Sequence, residues 1–206
     1  MFISGKGSNL AAIIKQIQQK KLNAHINCVI SDNPQAEGLI KAKKASIKTH
    51  VIKWHTSASK NTQVLKKILS SHQSDLVVLA GFMRILPKAF VTAYRNKIIN
   101  IHPSLLPKYP GLNTHQRVLN SSDRYHGVSI HFVDEKVDGG PIIAQSSLKI
   151  KQNDTPSRLK QRIHKLEHKL YPLIISWFSE NRLHLSMDGI KYNNQQVPPQ
   201  GILIEL

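Results

Sequence analysis

The sequence predicts an α/β fold in which an open, mostly parallel twisted sheet carries helices on both faces and continues into a C-terminal antiparallel extension. Three observations lead to this prediction. Short apolar runs alternate with segments of helical periodicity over about the first hundred residues. One of these runs, residues 75–80, is almost continuously apolar, as in strands that are buried on both faces of a parallel sheet. After residue 124 the alternation gives way to two longer strand candidates.

The first half of the chain contains five predicted strands that are separated by helices. The turn residues Asp32, Asn33 and Pro34 end the second strand, and Pro87 suits the first turn of a short helix before the fifth strand. In chain order, the other predicted elements are a strand at residues 2–3, a helix with Leu10, Ile13, Ile14 and Ile17 on one face, a strand at 25–31, a helix at about 35–45, a strand near 49–52, a helix at about 59–71, and strands at 75–80 and 97–101.

The residue pattern of the second half of the chain predicts longer helices and strands. Asp154 and Thr155 are good helix caps and Pro156 fits a first turn, so a long helix is expected there, with a break or kink at Pro172. Because no repeat or linker interrupts the sequence, we expect one domain, residues 1–206. The remaining predicted elements are strands at 125–133 and 141–150, a connection at 134–140 between them, and a small hairpin about Asp188 and Gly189.

The composition favours a soluble protein of a reducing compartment, which we expect to be the cytoplasm. The single cysteine, Cys28, cannot form an internal disulfide and lies in an apolar run, which indicates a core residue. No stretch of the sequence has the pattern of a signal peptide, and no apolar run is long enough to span a bilayer.

The formal net charge of +17 is the most unusual property of the composition. The 29 Lys and Arg residues are spread along the chain without a block of five, and no acidic residue lies between Glu37 and Asp75 or between Asp75 and Asp123. This distribution indicates solvated basic faces, or a general attraction for anionic substrates. A basic nucleic-acid-binding module remains as an alternative of another functional class, although the spread of the charges does not favour it.

The first candidate site is the Gly-rich loop at residues 4–9, between the first strand and the first helix. Its glycines let the backbone approach a ligand closely, and the free amides at the start of a helix favour an anion. Ser8 and Asn9 add polar side chains. The loop lacks the third glycine of a dinucleotide fingerprint, and an ordinary tight turn stays as the alternative.

The second candidate site is at the end of the fifth predicted strand. Asn100 and His102 are two residues apart, so they share one face of that strand at its carboxyl end, where open α/β sheets place ligands. A carboxamide that stabilises an oxyanion beside an imidazole that transfers a proton suits acyl transfer. Three prolines stiffen the loop that follows. A histidine that is merely satisfied at a strand end is the alternative.

The third candidate site is the acidic segment at residues 134–141. Asp134, Glu135 and Asp138 fall within five residues of a chain that has few acids. Asp138 precedes two glycines, and a carboxylate near His102 would orient the imidazole and raise its pKa. An acidic turn in water is the alternative, because spacing alone does not bring residues 102 and 138 together.

These segments together resemble the phosphoribosylglycinamide formyltransferases, a family of folate-dependent enzymes of purine biosynthesis. The Asn-x-His and Asp-Gly-Gly elements are common to the folate-dependent formyltransferases, whereas the phosphate loop and the segment around Glu167 point to the glycinamide enzymes. The resemblance runs from residue 2 to about residue 201. It rests on Gly5-x-Gly7-Ser8-Asn9, residues 79–86 (LAGFMRIL), residues 100–107 (NIHPSLLP), residues 137–141 (VDGGP), Glu167-His168-x-x-Tyr171-Pro172 and residues 198–201 (PPQG).

The resemblance implies a Rossmann-like formyltransferase fold and a set of site residues. Lys60 falls where relatives carry a basic residue near the folate, whereas Asn113 falls where some relatives carry a second histidine and receives no role. The first strand is shorter than the family pattern. The implied catalytic residues are Asn100, His102 and Asp138; the implied substrate-binding residues are Gly7, Ser8, Asn9, His164, Lys165, Leu166 and Glu167; the implied folate-binding residues are Lys60, Met83, Arg84, Ile85, Leu86, Asn100, Asp134, Glu135, Lys136, Val137 and Asp138.

The resemblance implies direct transfer of a formyl group from 10-formyltetrahydrofolate to the amine of 5-phosphoribosylglycinamide. In this hypothesis Asn100 and protonated His102 stabilise the oxyanion, and Asp138 keeps the imidazole charged. No catalytic metal is expected, because the sequence lacks a spacing such as His-Glu-x-x-His. The expected partners are small-molecule substrates, with no membrane, and the expected state is a monomer or homodimer.

Two other folate enzymes share the core motifs and stay as alternatives. A methionyl-tRNA formyltransferase normally carries a further C-terminal domain, and only about two dozen residues follow the long helix here. A formyltetrahydrofolate hydrolase adds an N-terminal regulatory domain, whereas this chain starts at its first predicted strand.

Overall fold

The structure is a computed structural model that describes residues 1–186 and 188–206. Its six helices in the described chain are α1 (Ser8–Gln18), α2 (Glu37–Lys44), α3 (Ala58–His72), α4 (Lys88–Ala93), α5 (Thr114–Leu119) and α6 (Pro156–Ser179). The strands are β1 (Phe2–Ile3), β2 (Val29–Ser31), β3 (Thr49–Val51), β4 (Val77–Leu79), β5 (Ile98–His102), β6 (Tyr125–Phe132), β7 (Ile142–Lys149), β8 (Leu183–Ser186), β9 (Gly189–Tyr192), β10 (Gln195–Gln196) and β11 (Ile202–Leu203).

An eight-stranded sheet forms the centre of the molecule, in the order β11-β7-β6-β5-β4-β1-β2-β3. The strands β5, β4, β1, β2 and β3 are parallel, β6 is antiparallel to both of its neighbours, and β11 is parallel to β7. The strand order reverses between β1 and β4, and open α/β sheets bind ligands at such a reversal. Strands β8, β9 and β10 form a separate antiparallel sheet. The predicted fold class is confirmed.

Each face of the large sheet has its own hydrophobic core, because successive side chains of a strand point to opposite faces. Val78 packs with α1 and α6, whereas Val77 and Leu79 pack with α3 and α4. In β5, Ile99 and Ile101 face α6 and Ile98 faces the opposite core. Asn100 and His102 therefore project from the face that carries α3 and α4.

Several elements differ from the prediction in their extent. The second strand pairs only over Val29–Ser31, so the predicted residues 25–28 lie before the sheet. Helix α6 begins after the Thr155 cap and continues through Pro172 to Ser179, so it has no break there. A proline inside a helix removes one backbone hydrogen bond. Beside it, the buried hydroxyl of Tyr171 donates to the carbonyl of Leu79 at 2.7 Å, which ties the helix to the sheet.

Three elements were not predicted. Helix α5 lies in a stretch for which no element was predicted, and β10 and β11 follow the hairpin of β8 and β9. The hairpin is present as predicted, although residue 187 lies outside the described residues. Within the described parts of the chain, no helix combines the length and the apolar composition that crossing a bilayer requires.

Candidate active site

The candidate site lies where the parallel strands β1, β4 and β5 end. Their carboxyl ends meet at one edge of the sheet because all three run in the same direction. The loops that leave this edge are the Gly-rich loop after Ile3, the segment after Leu79 and the segment after His102. We call this edge the carboxyl edge.

Asn100 and His102 lie within the last three residues of β5, as predicted from the strand periodicity. Pairing with β6 places Asn100 opposite His131 and His102 opposite Ser129. His102 is buried and Asn100 is half-buried. The strand thus presents a carboxamide and an imidazole side by side, with the imidazole largely removed from solvent.

Asp138 approaches both of these side chains from the 134–140 connection. Its Oδ2 atom lies 3.3 Å from Nδ1 of His102 and accepts a hydrogen bond from the Gly111 backbone N–H at 2.8 Å. Its Oδ1 atom lies 3.4 Å from Nδ2 of Asn100. Asp138 has a positive φ of 50°, a conformation that is uncommon for a residue with a side chain. The structure therefore brings together the three residues that the sequence analysis grouped.

His131 is a member of this cluster that the sequence analysis missed. Its Nδ1 donates to the Phe132 carbonyl at 2.8 Å, so in the neutral ring Nε2 accepts from the Asn100 amide at 3.2 Å. Nε2 also lies 3.6 Å from Asp138 Oδ1. A signal for His131 exists, since alternating apolar residues Val128, Ile130 and Phe132 leave it on the other face of β6. Asn100, His102, His131 and Asp138 form what we call the carboxyl-edge cluster.

The pKa of His102 moves in the direction opposite to the one expected. Burial lowers the pKa of His102 below its ordinary value, and the Tyr109 carbonyl and the Asp138 carboxylate only partly offset this effect. The Asp138 carboxylate acts on the pKa of His102 in the expected direction, but desolvation, which the sequence analysis did not consider, outweighs it. The imidazole is predominantly neutral in the free protein at neutral pH.

The second ring nitrogen of His102 is occupied by the backbone. Its Nε2 donates to the carbonyl oxygen of Tyr109 at 2.8 Å. The same carbonyl accepts from the Ser104 hydroxyl at 3.3 Å, so the loop after β5 folds back over the ring. In the described conformation both ring nitrogens of His102 face protein groups.

Asp138 remains ionised despite its burial. Burial alone would raise its pKa, but the contact with His131, the Gly111 N–H and the charge of the neighbouring imidazoles together lower the pKa below its ordinary value. A permanent negative charge therefore lies beside His102.

Exposed apolar side chains lie on the two segments that were predicted to bind folate and on the loop after β5. Met83 and Ile85, Val137, and Leu112 on the loop after β5 are all largely exposed, which is notable for large apolar residues. An ion pair of 2.7 Å between Lys88 and Glu135 joins the segments that carry Ile85 and Val137. This rim suits a flat apolar ligand.

The other residues predicted to bind folate have mixed positions. Leu86 is buried in the core, so its side chain supports the exposed apolar residues from below and does not itself face a ligand. Arg84 is paired with Asp32, with 2.6 Å between Nε and Oδ2. Lys60 is exposed in the first turn of α3, and Asp134, Glu135 and Lys136 are exposed on the acidic connection.

The Gly-rich loop forms the other end of the site. Gly7 caps α1 in the left-handed conformation with φ of 64°, and a Cβ there would lie 2.7 Å from Cα of Gly38. The two glycines therefore allow α1 and α2 to start against each other. No side chain caps α1 in this structure, so its first backbone N–H groups remain available to an anion, with Ser8 half-buried beside them.

Asn9 uses its side chain differently from the prediction. Its Nδ2 donates to Oε2 of Glu167 at 2.9 Å, and both residues are buried. Burial raises the pKa of Glu167, and the hydrogen bond from Asn9 opposes that rise. This contact joins two segments that the sequence analysis assigned to one substrate, 158 residues apart.

Helix α6 presents only part of the predicted segment 164–167 to the loop. Leu166 packs in the hydrophobic core and Lys165 is exposed, whereas His164 and Glu167 share one face. Lys160 and His168 lie on the same face and were missed, although their spacing of three to four residues from His164 was a readable signal. The charges of Lys160 and Lys6 add to burial in lowering the pKa of His164.

A pair of buried histidines lies next to the carboxyl-edge cluster. Nδ1 of His115 in α5 and Nε2 of His126 in β6 are 3.0 Å apart. Burial and the charges of neighbouring basic groups, His102 among them, together lower the pKa of each to about 4. Both rings are therefore neutral at neutral pH.

Comparison with known proteins yields a family match over most of the chain. The model of the formyl transferase family matches residues 1–175. The phosphoribosylglycinamide formyltransferase of Escherichia coli (strain K12) is 42% identical over 203 residues, which cover 98% of this chain and 96% of that protein. The enzyme of the same name from Haemophilus influenzae is also 42% identical over 203 residues, covering 97% of this chain and 95% of that protein.

A solved structure shows the same arrangement of elements. The phosphoribosylglycinamide formyltransferase of Coxiella burnetii is 45% identical and superposes with a TM-score of 0.95, covering 99% of this chain and 97% of that chain.

Proposed function

Because this chain belongs to the formyl transferase family, and within it to the phosphoribosylglycinamide formyltransferases, we propose that it transfers the formyl group of 10-formyltetrahydrofolate to the amine of 5-phosphoribosylglycinamide. The chain is an enzyme of formyl transfer in purine biosynthesis. The observation that carries the finer proposal is the approach of His102 and Asp138 to 3.3 Å, between an apolar rim and a Gly-rich loop.

The phosphate of the ribotide would bind at the Gly-rich loop. The free N–H groups of the first turn of α1 and the hydroxyl of Ser8 supply donors, and Lys6 and Lys160 supply positive charge nearby. Glu167, held by Asn9, is placed to accept hydrogen bonds from the glycinamide or the ribose. The amine would then point toward the carboxyl-edge cluster.

The folate would bind against the apolar rim. Met83, Ile85 and Val137 offer the contact area that a pterin ring requires, and the backbone of the 83–86 and 134–138 segments offers polar groups at its edges. The formyl carbon would lie over Asn100. The exposed Lys60 is assigned to the acidic tail of the folate.

The chemical step begins with the lone pair of the neutral amine attacking the formyl carbon. The carbonyl pair moves to oxygen, and the Asn100 amide stabilises that oxyanion, because its 3.4 Å contact with Asp138 is long and easily exchanged. His102 accepts the proton that the attacking nitrogen loses, and it delivers this proton to the folate nitrogen as the carbon–nitrogen bond to the folate breaks. Asp138 stabilises the imidazolium during the interval.

The neutral ground state of His102 changes the role assigned from the sequence. A ring whose pKa is lowered by burial acts first as a base, not as a charged oxyanion partner. For Nε2 to receive the proton, the substrate must replace the Tyr109 carbonyl as its partner. The proton of the neutral ring must then be on Nδ1, from which it forms a hydrogen bond to the Asp138 carboxylate. We therefore assign the loop at 104–112 a shift on substrate binding.

We extend the proposal to the whole chain as one cytoplasmic domain of residues 1–206. Strand β11, at residues 202–203, joins the same sheet that begins with β1, which supports one folding unit. The proposed substrates are charged and phosphorylated, which suits the cytoplasm.

The decisive test is a spectrophotometric assay with a 10-formyl folate analogue and glycinamide ribotide. We expect stoichiometric release of the deformylated folate, dependent on the ribotide. The formyl-accepting aminoacyl-tRNA serves as the control acceptor. Release without an acceptor, or only with the tRNA, would contradict the proposed substrate.

A further inference from the structure

Three metal-ligating side chains meet at the edge of the sheet opposite the candidate active site. Cys28 directly precedes β2, His50 lies in β3, and His72 is the last residue of α3. Their ligand atoms, one thiol sulfur and two imidazole nitrogens, all lie within 4.8 Å of one another. We call these residues the amino-edge cluster, because β2 begins and α3 ends on that side.

We propose that the amino-edge cluster binds one Zn²⁺ ion, with Cys28, His50 and His72 as protein ligands and water as the fourth. A thiolate with two imidazoles is a donor set that zinc prefers, and a tetrahedral site with three protein ligands leaves one position for water. The sequence analysis expected no catalytic metal because the chain lacks a local spacing of metal ligands. Such a spacing cannot reveal a site that is assembled from three separate segments.

The separation of the two imidazole nitrogens is close to that of a zinc site. A tetrahedral ion with Zn–N bonds of about 2.0–2.1 Å separates two ligand nitrogens by about 3.3 Å. Nε2 of His50 and Nε2 of His72 are 2.8 Å apart. The rings stand edge to face, with centroids 5.1 Å apart and planes at 68°. An outward movement of about half an ångström by one imidazole would create the required separation.

The local electrostatics bear on how the ligand atoms lose their protons to a metal ion. Burial, His72 and Lys48 lower the pKa of His50, so its ring is available in the neutral form that binds metals. Burial raises the pKa of Cys28, so zinc has to displace the thiol proton. No carboxylate belongs to the cluster, and a thiolate would supply its negative charge.

The backbone holds the three ligands in fixed relation. The Asn27 side chain donates to the His72 carbonyl at 2.6 Å, which ties the end of α3 to the residue before Cys28. Strands β2 and β3 pair in parallel, with Ile30 opposite His50. Cys28 is buried but both histidines are partly exposed, so an ion and its water can enter from solvent.

The proposal is independent of the formyl transfer chemistry. The proposed catalytic side chains project from the carboxyl edge, whereas the amino-edge cluster lies across the sheet at the start of β2. An ion there would join three segments of the chain and stabilise the folded state. If the catalytic assignments proved wrong, the zinc proposal would be unaffected. If zinc did not bind, the catalytic assignments would be unaffected.

The test uses Co²⁺ as a spectroscopic substitute for zinc in the complete, tag-free chain. We expect one equivalent to bind with intense visible bands of tetrahedral cobalt and a near-ultraviolet thiolate-to-metal charge-transfer band. Zn²⁺ should displace the cobalt and raise the melting temperature in proportion to the logarithm of its concentration. Absence of the charge-transfer band in the unaltered protein would overturn the proposal.

Variants separate this site from adventitious binding. Cys28→Ser should abolish the charge-transfer band, and His72→Asn should weaken binding by more than about 100-fold, since losing an outer partner alone costs about 10- to 100-fold. His25→Gln removes an exposed histidine outside the cluster and should bind zinc normally. Circular dichroism verifies that each variant is folded. Unchanged affinity in folded Cys28→Ser and His72→Asn proteins would contradict the assignment.

Discussion

Two groups of imidazoles lie at opposite edges of one sheet, and they differ in a single partner. At the carboxyl edge His102 and His131 contact the carboxylate of Asp138. At the amino edge His50 and His72 contact each other, next to the thiol of Cys28. Burial lowers the pKa of both His50 and His102.

The comparison shows that the partner, rather than the imidazole, decides what such a group can do. A carboxylate stabilises the charged ring, so His102 can accept a proton and release it within one reaction. At the amino edge two imidazoles lie beside a thiol, and this donor set suits a metal ion such as zinc. Each prediction below tests one side of this contrast.

The largest effect is expected from His102→Ala, which removes the proposed proton carrier. We expect kcat to fall by about 10²- to 10⁴-fold, while the Kd of the ribotide stays nearly unchanged. Steady-state kinetics and ribotide titration measure the two quantities. His25→Ala, at an exposed site, is the matched control. A His102→Ala enzyme with near-normal kcat would remove the contrast between the two edges.

Asn100→Ala tests whether the carboxamide acts on the oxyanion. The loss of one such donor costs about 3 kcal/mol, or roughly 100-fold in kcat. Asn100→Asp keeps the shape of the side chain and should be equally slow, because a carboxylate cannot donate. If kcat of either variant fell by less than threefold, the oxyanion would have to be stabilised elsewhere.

The pair of His115 and His126 tests a third case, in which two imidazoles contact each other and the charge of Asp123 only partly offsets the lowering of the pKa of His126. Their pKa values of about 4 lie below the ordinary 6.5, so the unfolded chain binds more protons between these pH values. Stability should therefore decline as pH falls from about 6.5 toward 4, by up to about 1.4 kcal/mol per pH unit for each ring.

Urea denaturation at several pH values measures this decline. His115→Gln should flatten the slope, and His184→Gln, at an exposed position, should leave it unchanged. Equal slopes in the unaltered protein and in His115→Gln would show that the pair does not titrate in this range.

The smallest effect is expected from Asn27→Ala at the amino edge. It removes the 2.6 Å hydrogen bond to the His72 carbonyl, and one such bond contributes about 0.5–1.5 kcal/mol to the free energy of unfolding. The midpoint of urea denaturation without metal gives the value. If the same variant also weakened zinc binding, the bond would be shown to position His72; an unchanged affinity would confine it to stability.

The sequence predicted the carboxyl edge well because its signals are local. The two-residue spacing of Asn100 and His102 follows from strand periodicity alone, and their position at the end of β5 follows from the order of elements. The Gly-rich loop and the capped start of α6 are equally local. Such features depend on neighbours within a few residues.

The amino-edge cluster and the pKa of His102 could not be predicted in this way. Cys28, His50 and His72 are separated by 22 residues at each step, and only the pairing of β2 with β3 and the return of α3 bring them together. Desolvation of His102 depends on the loop that covers it through Tyr109. The first property arises from packing between distant segments and the second from a loop that folds back over the ring, and periodicity carries no information about either.

Helix α6 fixes the distance between the Gly-rich loop, where we propose that the ribotide binds, and the centre of the sheet. His164 and Glu167 face the Gly-rich loop, and Tyr171 hydrogen-bonds the carbonyls of Leu79 and Ile99 at the centre of the sheet. Each residue inserted in an α-helix rotates everything beyond it by about 100° and advances it by about 1.5 Å. A single insertion between residues 164 and 171 would thus misalign His164 and Glu167, the proposed ribotide contacts, from the proposed reaction centre. Length changes during evolution or engineering should therefore be confined to the stretches outside residues 156–179.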